Sequence, residues 1–459
     1  MRAARGMYRQ VPVAAGGGAA GAATAGPVAH AGYYQHAPIV AVLLVVIIAA
    51  RLPEVIPYAF LVRPALSAGL LGTSLILFGS HQNVLGLVMM HPLMRLLIAM
   101  LAWAVLTAPF ALWPTHALVS SISILLPILM MTFVILACEP NARNLRTLKL
   151  ALMGGVAAHG VMLMMYRTAG SRARMESYGS LDANDLAVLM VIAFPFAVSM
   201  ALNSRGLRRA VAVGATIVIL TVVVLSGSRG GTLALLAAGF VYVASARGVR
   251  RTLSLTVLVV AGLLTWQLAP TRFRTRMATV TNLENDYNTT DYNGRKQIWA
   301  RARQYIKQNP IAGVGMLNFS VAEGNTLTAA GTVGKWSTAH NSYLQVTSEL
   351  GLVGGALFLS ILGLAVARAL ALRRPQWGAP EVRGGQPEFL AALAGVAAGG
   401  YFLSHAYFYA FYALAALTIF AHRVAVTSSQ WPVTAPVVVA AASRGSRGFR
   451  SLRTAHRYR

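Results

Sequence analysis

One histidine, His340, stands where a long polar stretch gives way to an apolar segment, in the sequence AHNSYLQVTSELG of residues 339–351. An ionisable side chain at such a boundary is a candidate functional group. Ser337 or Thr338 is expected to cap the following helix, which would place His340 in its first turn, where the helix dipole disfavours a charged imidazolium. A neutral imidazole can take a proton from a hydroxyl group. The sequence therefore predicts that His340 is a general base; the alternative is a histidine with only structural hydrogen bonds at a membrane interface.

The segment 295–308 supplies a candidate anion-binding group. Its apolar residues recur at helical spacing and form one stripe, namely Ile298, Trp299, Ala302, Tyr305 and Ile306. Lys296, Arg303 and Lys307 lie on a flank, whereas Arg295 is expected to be the one charge on the stripe, where a guanidinium needs an anionic partner. With Asn293 as N-cap and Gly294 next, Arg295 would stand at a helix N-terminus, which also favours an anion. The alternative is a helix on the membrane surface with snorkelling cations.

A second candidate, Arg229, lies in a very short external turn that reads Leu225-Ser226-Gly227-Ser228-Arg229-Gly230-Gly231. Its glycines would let a phosphate approach the backbone. They could equally serve only a tight turn between packed helices, with Arg229 at the helix interface.

A third group of external cations, formed by Arg167, Arg172 and Arg174, precedes the polar segment 182–185 at the start of the next span. These arginines are either substrate contacts or snorkelling charges beside a simple helix cap. His116 and His405 are expected to be isolated on the same outer side. No spacing typical of a metal site appears, so we predict no catalytic metal.

The elements that must position these groups are membrane helices. The chain has 459 residues, of which 56% are hydrophobic and only 11% are charged, and its mean hydropathy is +0.61. Apolar runs long enough, or nearly so, to cross a bilayer are separated by polar segments; we place them at 37–50, 64–79, 92–107, 117–138, 146–165, 183–202, 208–225, 230–246, 252–269, 341–367, 388–404 and 406–425. We therefore predict an all-α polytopic membrane protein with about twelve transmembrane helices.

The net charge of +27 is a topology signal rather than a sign of nucleic-acid binding, because the cations concentrate in alternate loops and in the tail. That pattern predicts five parts: a disordered cytoplasmic leader (1–36), spans one to nine (37–269), a large, partly helical periplasmic loop before the tenth span (270–340), spans ten to twelve (341–425) and a basic cytoplasmic tail (426–459) that could contact anionic lipids. The lone Cys138 excludes an internal disulfide.

Together these motifs resemble the O-antigen ligase superfamily, polytopic glycosyltransferases that include O-antigen ligases and related polysaccharide polymerases. The matching pieces lie within residues 180–365 and are Ser228-Arg229-Gly230-Gly231, Gly294-Arg295-Lys296-Gln297-Ile298-Trp299, Asn309-Pro310-Ile311-Ala312-Gly313-Val314-Gly315 and Ala339-His340-Asn341-Ser342-Tyr343-Leu344 with Glu349-Leu350-Gly351. The number of spans and the position of the large loop agree with this resemblance.

The resemblance implies a bacterial inner-membrane enzyme that moves a glycan from undecaprenyl pyrophosphate to a sugar hydroxyl of lipid A-core on the periplasmic side, without metal, nucleotide sugar or other cofactor. By the family's pattern Arg229 and Arg295 bind the pyrophosphate, His340 acts on the acceptor, and Asn341 is a further candidate contact. Direct displacement would invert the anomeric centre.

Two alternatives stay open. A polymerase shares these motifs and uses another carrier-linked glycan as acceptor. A lipid-linked glycan flippase or transporter would also be polytopic and basic, but its ionisable residues should lie near the membrane midplane rather than at the outer mouth.

Overall fold

The computed structural model describes residues 33–52, 63–80, 84–166, 175, 182–246, 248–278, 294–331, 336–373 and 386–430. Within these residues 83% are helical and no strand occurs, which confirms the all-α class. The α-helices in this part of the chain, in order, are α1 (Ala37–Ala49), α2 (Pro64–Gly79), α3 (Val84–Met89), α4 (Pro92–Thr107), α5 (Pro114–Ala137), α6 (Ala142–Tyr166), α7 (Ala183–Asn203), α8 (Gly206–Ser226), α9 (Arg229–Ser245), α10 (Val249–Leu268), α11 (Thr271–Ala278), α12 (Arg295–Gln308), α13 (Phe319–Ala329), α14 (Ser342–Ala371), α15 (Pro387–Gly400) and α16 (Tyr409–Gln430).

Eight helices in the described residues are long and apolar enough to cross a membrane. Four further apolar helices, α1, α2, α9 and α15, are 10–17 residues long. These two sets lie at the positions of the predicted spans, so the polytopic membrane class is supported by length and composition. The count of about twelve stays a prediction.

The helices run between two ends of a bundle, which we name by a residue at each. At the Glu388 end, the Lys149 ammonium lies 2.8 Å from a Glu388 carboxylate oxygen, and the Ser199 hydroxyl donates to the other oxygen at 3.2 Å. These contacts join the start of α6, the end of α7 and the start of α15. The His340 end holds the opposite termini, including the starts of α7, α9 and α14.

Helix α7 forms the centre of this bundle, and its residues from Leu186 to Val198 are all buried. Two glycines of α15 allow a close approach to it. A Cβ atom at Gly395 would lie 2.6 Å from Val191, and one at Gly399 would lie 2.8 Å from Val188. Small residues at such crossings let the backbones of membrane helices pack tightly. By contrast, only 6% of the α10 span is buried inside the protein.

Helix α14, predicted as one continuous span, is broken at Gly351, whose φ of 68° and ψ of −173° are not helical. The loop after α12 packs into the break. The Val314 and Gly315 N–H groups donate to the carbonyls of Ser348 and Glu349 at 2.8 and 2.9 Å. On the far side of the break, the Leu352 N–H donates to the Pro310 carbonyl at 2.8 Å. The backbone groups freed by the break are therefore paired, as a buried helix end requires.

The segment 270–340 is partly helical, as predicted, with α11, α12 and α13 in its described residues. The apolar stripe of α12 is buried at Ile298, Ala302 and Tyr305. The expectation that Arg295 is the one charge on this face is wrong, because Arg301 is also buried there.

Arg301 is compensated by a carboxylate from another helix. Its Nε and Nη2 atoms donate to Glu323 of α13 at 2.7 to 3.1 Å. The Tyr305 hydroxyl donates to the same carboxylate at 3.0 Å. Burial, the largest cause, raises the pKa of Tyr305 to about 12, so this hydroxyl stays a donor. The buried ion pair fixes α13 against α12.

The last two spans are separated by more than the predicted single residue. Helix α15 ends at Gly400 and α16 begins at Tyr409. The intervening residues 401–408 are mostly apolar, which is why the hydropathy pattern did not reveal the break. We call residues 401–405 the hinge segment, because it contacts each element that carries a described candidate residue.

Candidate functional site

His340 lies just before α14 rather than in its first turn, so the predicted capping is wrong. The cap is Asn341, whose side-chain oxygen accepts the N–H groups of Tyr343 and Leu344 at 3.0 and 2.9 Å. Asparagine is a strong N-cap because its side chain satisfies these otherwise unpaired donors. His340 itself is half-buried and has a φ of 47°, a left-handed conformation that is uncommon for a residue with a side chain.

The hinge segment holds this backbone in place. The His340 N–H donates to the Ser404 hydroxyl at 2.8 Å. Two residues on, the Ser342 hydroxyl donates to the Leu403 carbonyl at 2.7 Å and accepts the His405 N–H at 2.8 Å. A strained backbone persists only where its surroundings determine it, and strained residues cluster at functional sites. The three hydrogen bonds supply that determination.

The same hinge segment contacts α12. The Trp299 and Tyr401 rings meet edge to face with centroids 5.2 Å apart, and the Trp299 indole N–H donates to the Ala339 carbonyl at 3.0 Å. Trp299 lies about one turn after Arg295, so the start of α12 is fixed against both His340 and the hinge segment.

The hinge segment also contacts α9. A Cβ atom at Gly230 would lie 3.0 Å from Phe402, and one at Gly231 would lie 2.3 Å from Ala187 of α7. These two glycines therefore serve close packing, which is the simpler of the two interpretations of this turn. Gly227, with a φ of 59°, ends α8 in the left-handed conformation.

Arg229 and Arg295 occupy equivalent positions, since each is the first residue of its helix and each is half-buried. Ser228 caps α9 by accepting the Gly231 N–H at 3.0 Å, and the N-cap of α12 is Gly294. Such N-termini carry free backbone N–H groups and a partial positive charge, so both arginines stand where an anion is favoured.

His405 forms a hydrogen-bond contact that the sequence did not reveal, so the expectation that it is isolated is wrong. Its Nε2 atom lies 2.6 Å from an Asp185 carboxylate oxygen, and its ring stacks on Phe408. Asp182 caps α7, as the simple reading of that segment expects. The pair ties the hinge segment to the start of α7. Neither Ser404 nor this pairing has a sequence signal, because the contacts join residues more than 60 positions apart.

A cavity of about 290 Å³ lies beside His340. It is lined by Thr338 and Ala339 on one wall, and the remaining lining residues are His116, Leu317, Phe319, Ser320, Gln345 and Glu349. His116 was expected to be isolated, which is wrong, because its Nδ1 atom hydrogen-bonds the Asn318 side-chain oxygen at 3.0 Å. A larger cavity of about 380 Å³ lies between α1, α2, α5 and α16, and none of the predicted site residues lines it.

Other predicted residues lie outside the described part of the chain. They are Arg167, Arg172, Arg174 and Asn293. The prediction that Asn293 is the N-cap of α12 is wrong, because the N-cap is Gly294. Among the described residues, no three His, Cys, Asp or Glu side chains are grouped so that they could hold a metal ion. Independence of metal stays a prediction.

Residues 214–359 match the family model described as O-antigen ligase. Comparison with curated proteins gives no match. The matched range runs from α8 into α14, and it includes Arg229, Arg295 and His340 together with the loop that fills the break at Gly351. The match confirms the resemblance seen in the motifs: residues 214–359 of this chain are similar to the O-antigen ligase family.

Proposed function

We propose that this protein is an O-antigen ligase that transfers a glycan from undecaprenyl pyrophosphate to a sugar hydroxyl of lipid A-core. The family match supports a ligase- or polymerase-type enzyme in general. The observation that carries the finer proposal is the convergence of three elements on the hinge segment. The starts of α9 and α12, each with a leading arginine, and the strained His340 all contact residues 401–405 or their immediate neighbours.

In the proposed reaction, the acceptor hydroxyl oxygen attacks the anomeric carbon of the donor glycan. The bond between that carbon and the pyrophosphate oxygen breaks, and undecaprenyl pyrophosphate leaves with the electron pair. His340 takes the hydroxyl proton, because a sugar hydroxyl is a poor nucleophile without a base. Attack opposite the leaving group inverts the anomeric centre.

Arg229 and Arg295 neutralise the charge that develops on the leaving group. A pyrophosphate is already a good leaving group, so it needs charge stabilisation more than a strong acid. Guanidinium groups suit this work because they contact phosphate oxygens through two N–H groups at once. For Asn341 we propose positioning of His340 rather than direct substrate contact, because its side-chain oxygen is engaged in the cap.

We further propose that the His340 end faces the periplasm of a bacterial inner membrane. Basic residues concentrate at the helix ends on the Glu388 side, where the described residues include Arg143, Arg146, Lys149, Arg205, Arg208, Arg209, Arg251 and Arg373. Cytoplasmic loops carry such an excess of cations. The arginine cluster at 167–174 and the basic tail at 431–459 lie outside the described residues and belong to this proposal only through their sequence.

Reconstitution of the purified protein in proteoliposomes tests the proposal. The donor is carrier-linked glycan, and the acceptor is either lipid A-core or a second carrier-linked glycan. We expect the glycan to appear on lipid A-core. Elongation of the carrier-linked glycan alone would favour the polymerase, and movement of intact donor across the bilayer without transfer would favour a transporter.

A further inference from the structure

The cavity beside His340 is lined by residues other than the two arginines proposed to bind pyrophosphate. Its lining includes Thr338 and Ala339, the two residues before His340, and Gln345 and Glu349 of α14. The hinge segment, by contrast, accepts hydrogen bonds from the His340 N–H at Ser404 and from the Ser342 hydroxyl at Leu403. The His340 ring does not line the cavity, but its Nδ1 atom lies 3.5 Å from the Thr338 hydroxyl, and Thr338 does line it.

Two of the residues that line this cavity carry buried oxygens without a hydrogen bond in the described part of the chain. Gln345 and Glu349 are four residues apart and so share one helix face. They are 6% and 1% exposed, and within the described part of the chain neither Gln345 Oε1 nor Glu349 Oε2 makes a hydrogen bond of good geometry. The Glu349 carboxylate as a whole also interacts with the Leu317 and Phe319 backbone N–H groups and with the Tyr407 hydroxyl, so Gln345 Oε1 is the oxygen most in need of a donor. Buried acceptors without donors are costly, so a ligand that brings donors is favoured there.

The remaining lining is suited to a ring with polar edges. Phe319 and Leu317 offer apolar surface, and Ser320 and His116 add polar groups. The cavity volume of about 290 Å³ is close to the lower limit of small-molecule pockets, which begin at about 300 Å³. It therefore accommodates a single ring rather than an oligosaccharide.

We propose that this cavity binds the hydroxyl-bearing ring of the acceptor glycan, with sugar hydroxyls donating to Gln345 and Glu349. The inference rests on the proposed function, since it places the acceptor beside Thr338, whose hydroxyl contacts the His340 ring. A base at the edge of the cavity can take the proton from a hydroxyl held there.

Glu349→Gln tests the proposal, because it keeps the size of the side chain and replaces one acceptor oxygen with an amide donor. At saturating donor, we expect the KM for lipid A-core to rise about tenfold or more, since a sugar hydroxyl that loses its acceptor and faces a donor is left unsatisfied. The KM for the carrier-linked donor should stay within about twofold, the range expected where no contact to the donor is lost. Glu388→Gln is the matched control, because it changes an equally buried carboxylate at the opposite end of the bundle.

A second measurement separates this inference from the proposed function. Binding of deacylated lipid A-core oligosaccharide, and of the glycan released from the carrier, is followed by saturation-transfer NMR on the wild type, Glu349→Gln and Glu388→Gln. Weaker binding of the lipid A-core oligosaccharide in Glu349→Gln alone, with unchanged binding of the glycan released from the carrier, supports the acceptor site, even if wild-type transfer fails and the ligase proposal falls. Equal binding in all three proteins, or an unchanged acceptor KM in Glu349→Gln, overturns it and makes the cavity a water-filled space.

Gln345→Ala keeps the test decisive if Glu349→Gln does not fold. It removes one acceptor atom and leaves the carboxylate in place. We expect acceptor binding to weaken about threefold to tenfold, in line with the loss of one neutral hydrogen bond. Unchanged acceptor binding in a folded Gln345→Ala protein would overturn the proposal.

Discussion

Replacing Gly351 by alanine should damage the site through the break in α14. The φ of 68° and ψ of −173° at this residue belong to a region that essentially only glycine adopts. An added Cβ atom would also lie 1.8 Å from the Ile311 carbonyl oxygen, which is a backbone atom and cannot rotate away. The loop after α12 would therefore have to move out of the break.

The expected cost follows from these two effects. Backbone strain of this kind costs about 1–3 kcal/mol. The departing loop also loses three backbone hydrogen bonds across the break, each worth about 0.5–1.5 kcal/mol net. We expect Gly351→Ala to lower the free energy of unfolding by about 3 kcal/mol or more, and to reduce transfer further because Ser348 and Glu349 lose their backbone partners.

Gly363→Ala in the same helix is the matched control. No atom lies within 4 Å of a Cβ built at Gly363, and the residue is in regular helix. Alanine there should be neutral or stabilising by about 0.5–1 kcal/mol. The assay is thermal unfolding in detergent together with the transfer rate in proteoliposomes. A Gly351→Ala protein as stable and active as Gly363→Ala would refute the assignment of the break as a structural support of the site.

Three further outcomes are expected. Arg295→Lys and Arg229→Lys should each reduce the transfer rate about tenfold or more, because lysine cannot contact a phosphate through two N–H groups at once. Lys296→Ala, on the exposed flank of α12, should change the rate little. If Lys296→Ala is as damaging as Arg295→Lys, α12 is a membrane-surface helix and the role of Arg295 is wrong. Ser404→Ala should lower kcat about fivefold at unchanged donor KM, since it removes a hydrogen bond of about 1 kcal/mol to the His340 backbone. Ser404→Thr keeps the hydroxyl and should restore the wild-type kcat. A wild-type kcat in the alanine variant would contradict this positioning role. Exhaustive chelation with EDTA should leave the transfer rate unchanged, and a loss that Mg²⁺ or Mn²⁺ restores would contradict the arginine-based mechanism.

Much of this architecture could be predicted from hydropathy and charge. The helices lie at the positions of the apolar runs, and the start of α12 at Arg295 follows from the polar residues before a periodic stripe. The family motifs also marked the loop after α12, although its role in filling the break at Gly351 depends on backbone hydrogen bonds that residue types do not encode.

The missing parts are tertiary contacts. Arg301 lies at helical spacing from Ile298 and Tyr305, so its burial could have been noticed, but its partner Glu323 belongs to another helix. The hinge segment is apolar and continuous with two spans in sequence, so neither the break there nor the hydrogen bond from Ser404 to His340 was visible. The capping error has a local cause, because Asn341 outcompetes Ser337 and Thr338 as N-cap by accepting two N–H groups.

The role of His340 is the central claim, and its replacement by alanine tests that claim most directly. The measurement compares the transfer rate to lipid A-core and the binding of carrier-linked donor in the wild type, His340→Ala and His422→Ala, whose histidine lies near the Glu388 end. We expect His340→Ala to lose about a hundredfold or more in transfer while donor binding is retained, because a general base acts on the acceptor and not on the pyrophosphate. His422→Ala should transfer at close to the wild-type rate. Near-normal turnover in a folded His340→Ala protein would contradict the account and leave His340 with a structural role only.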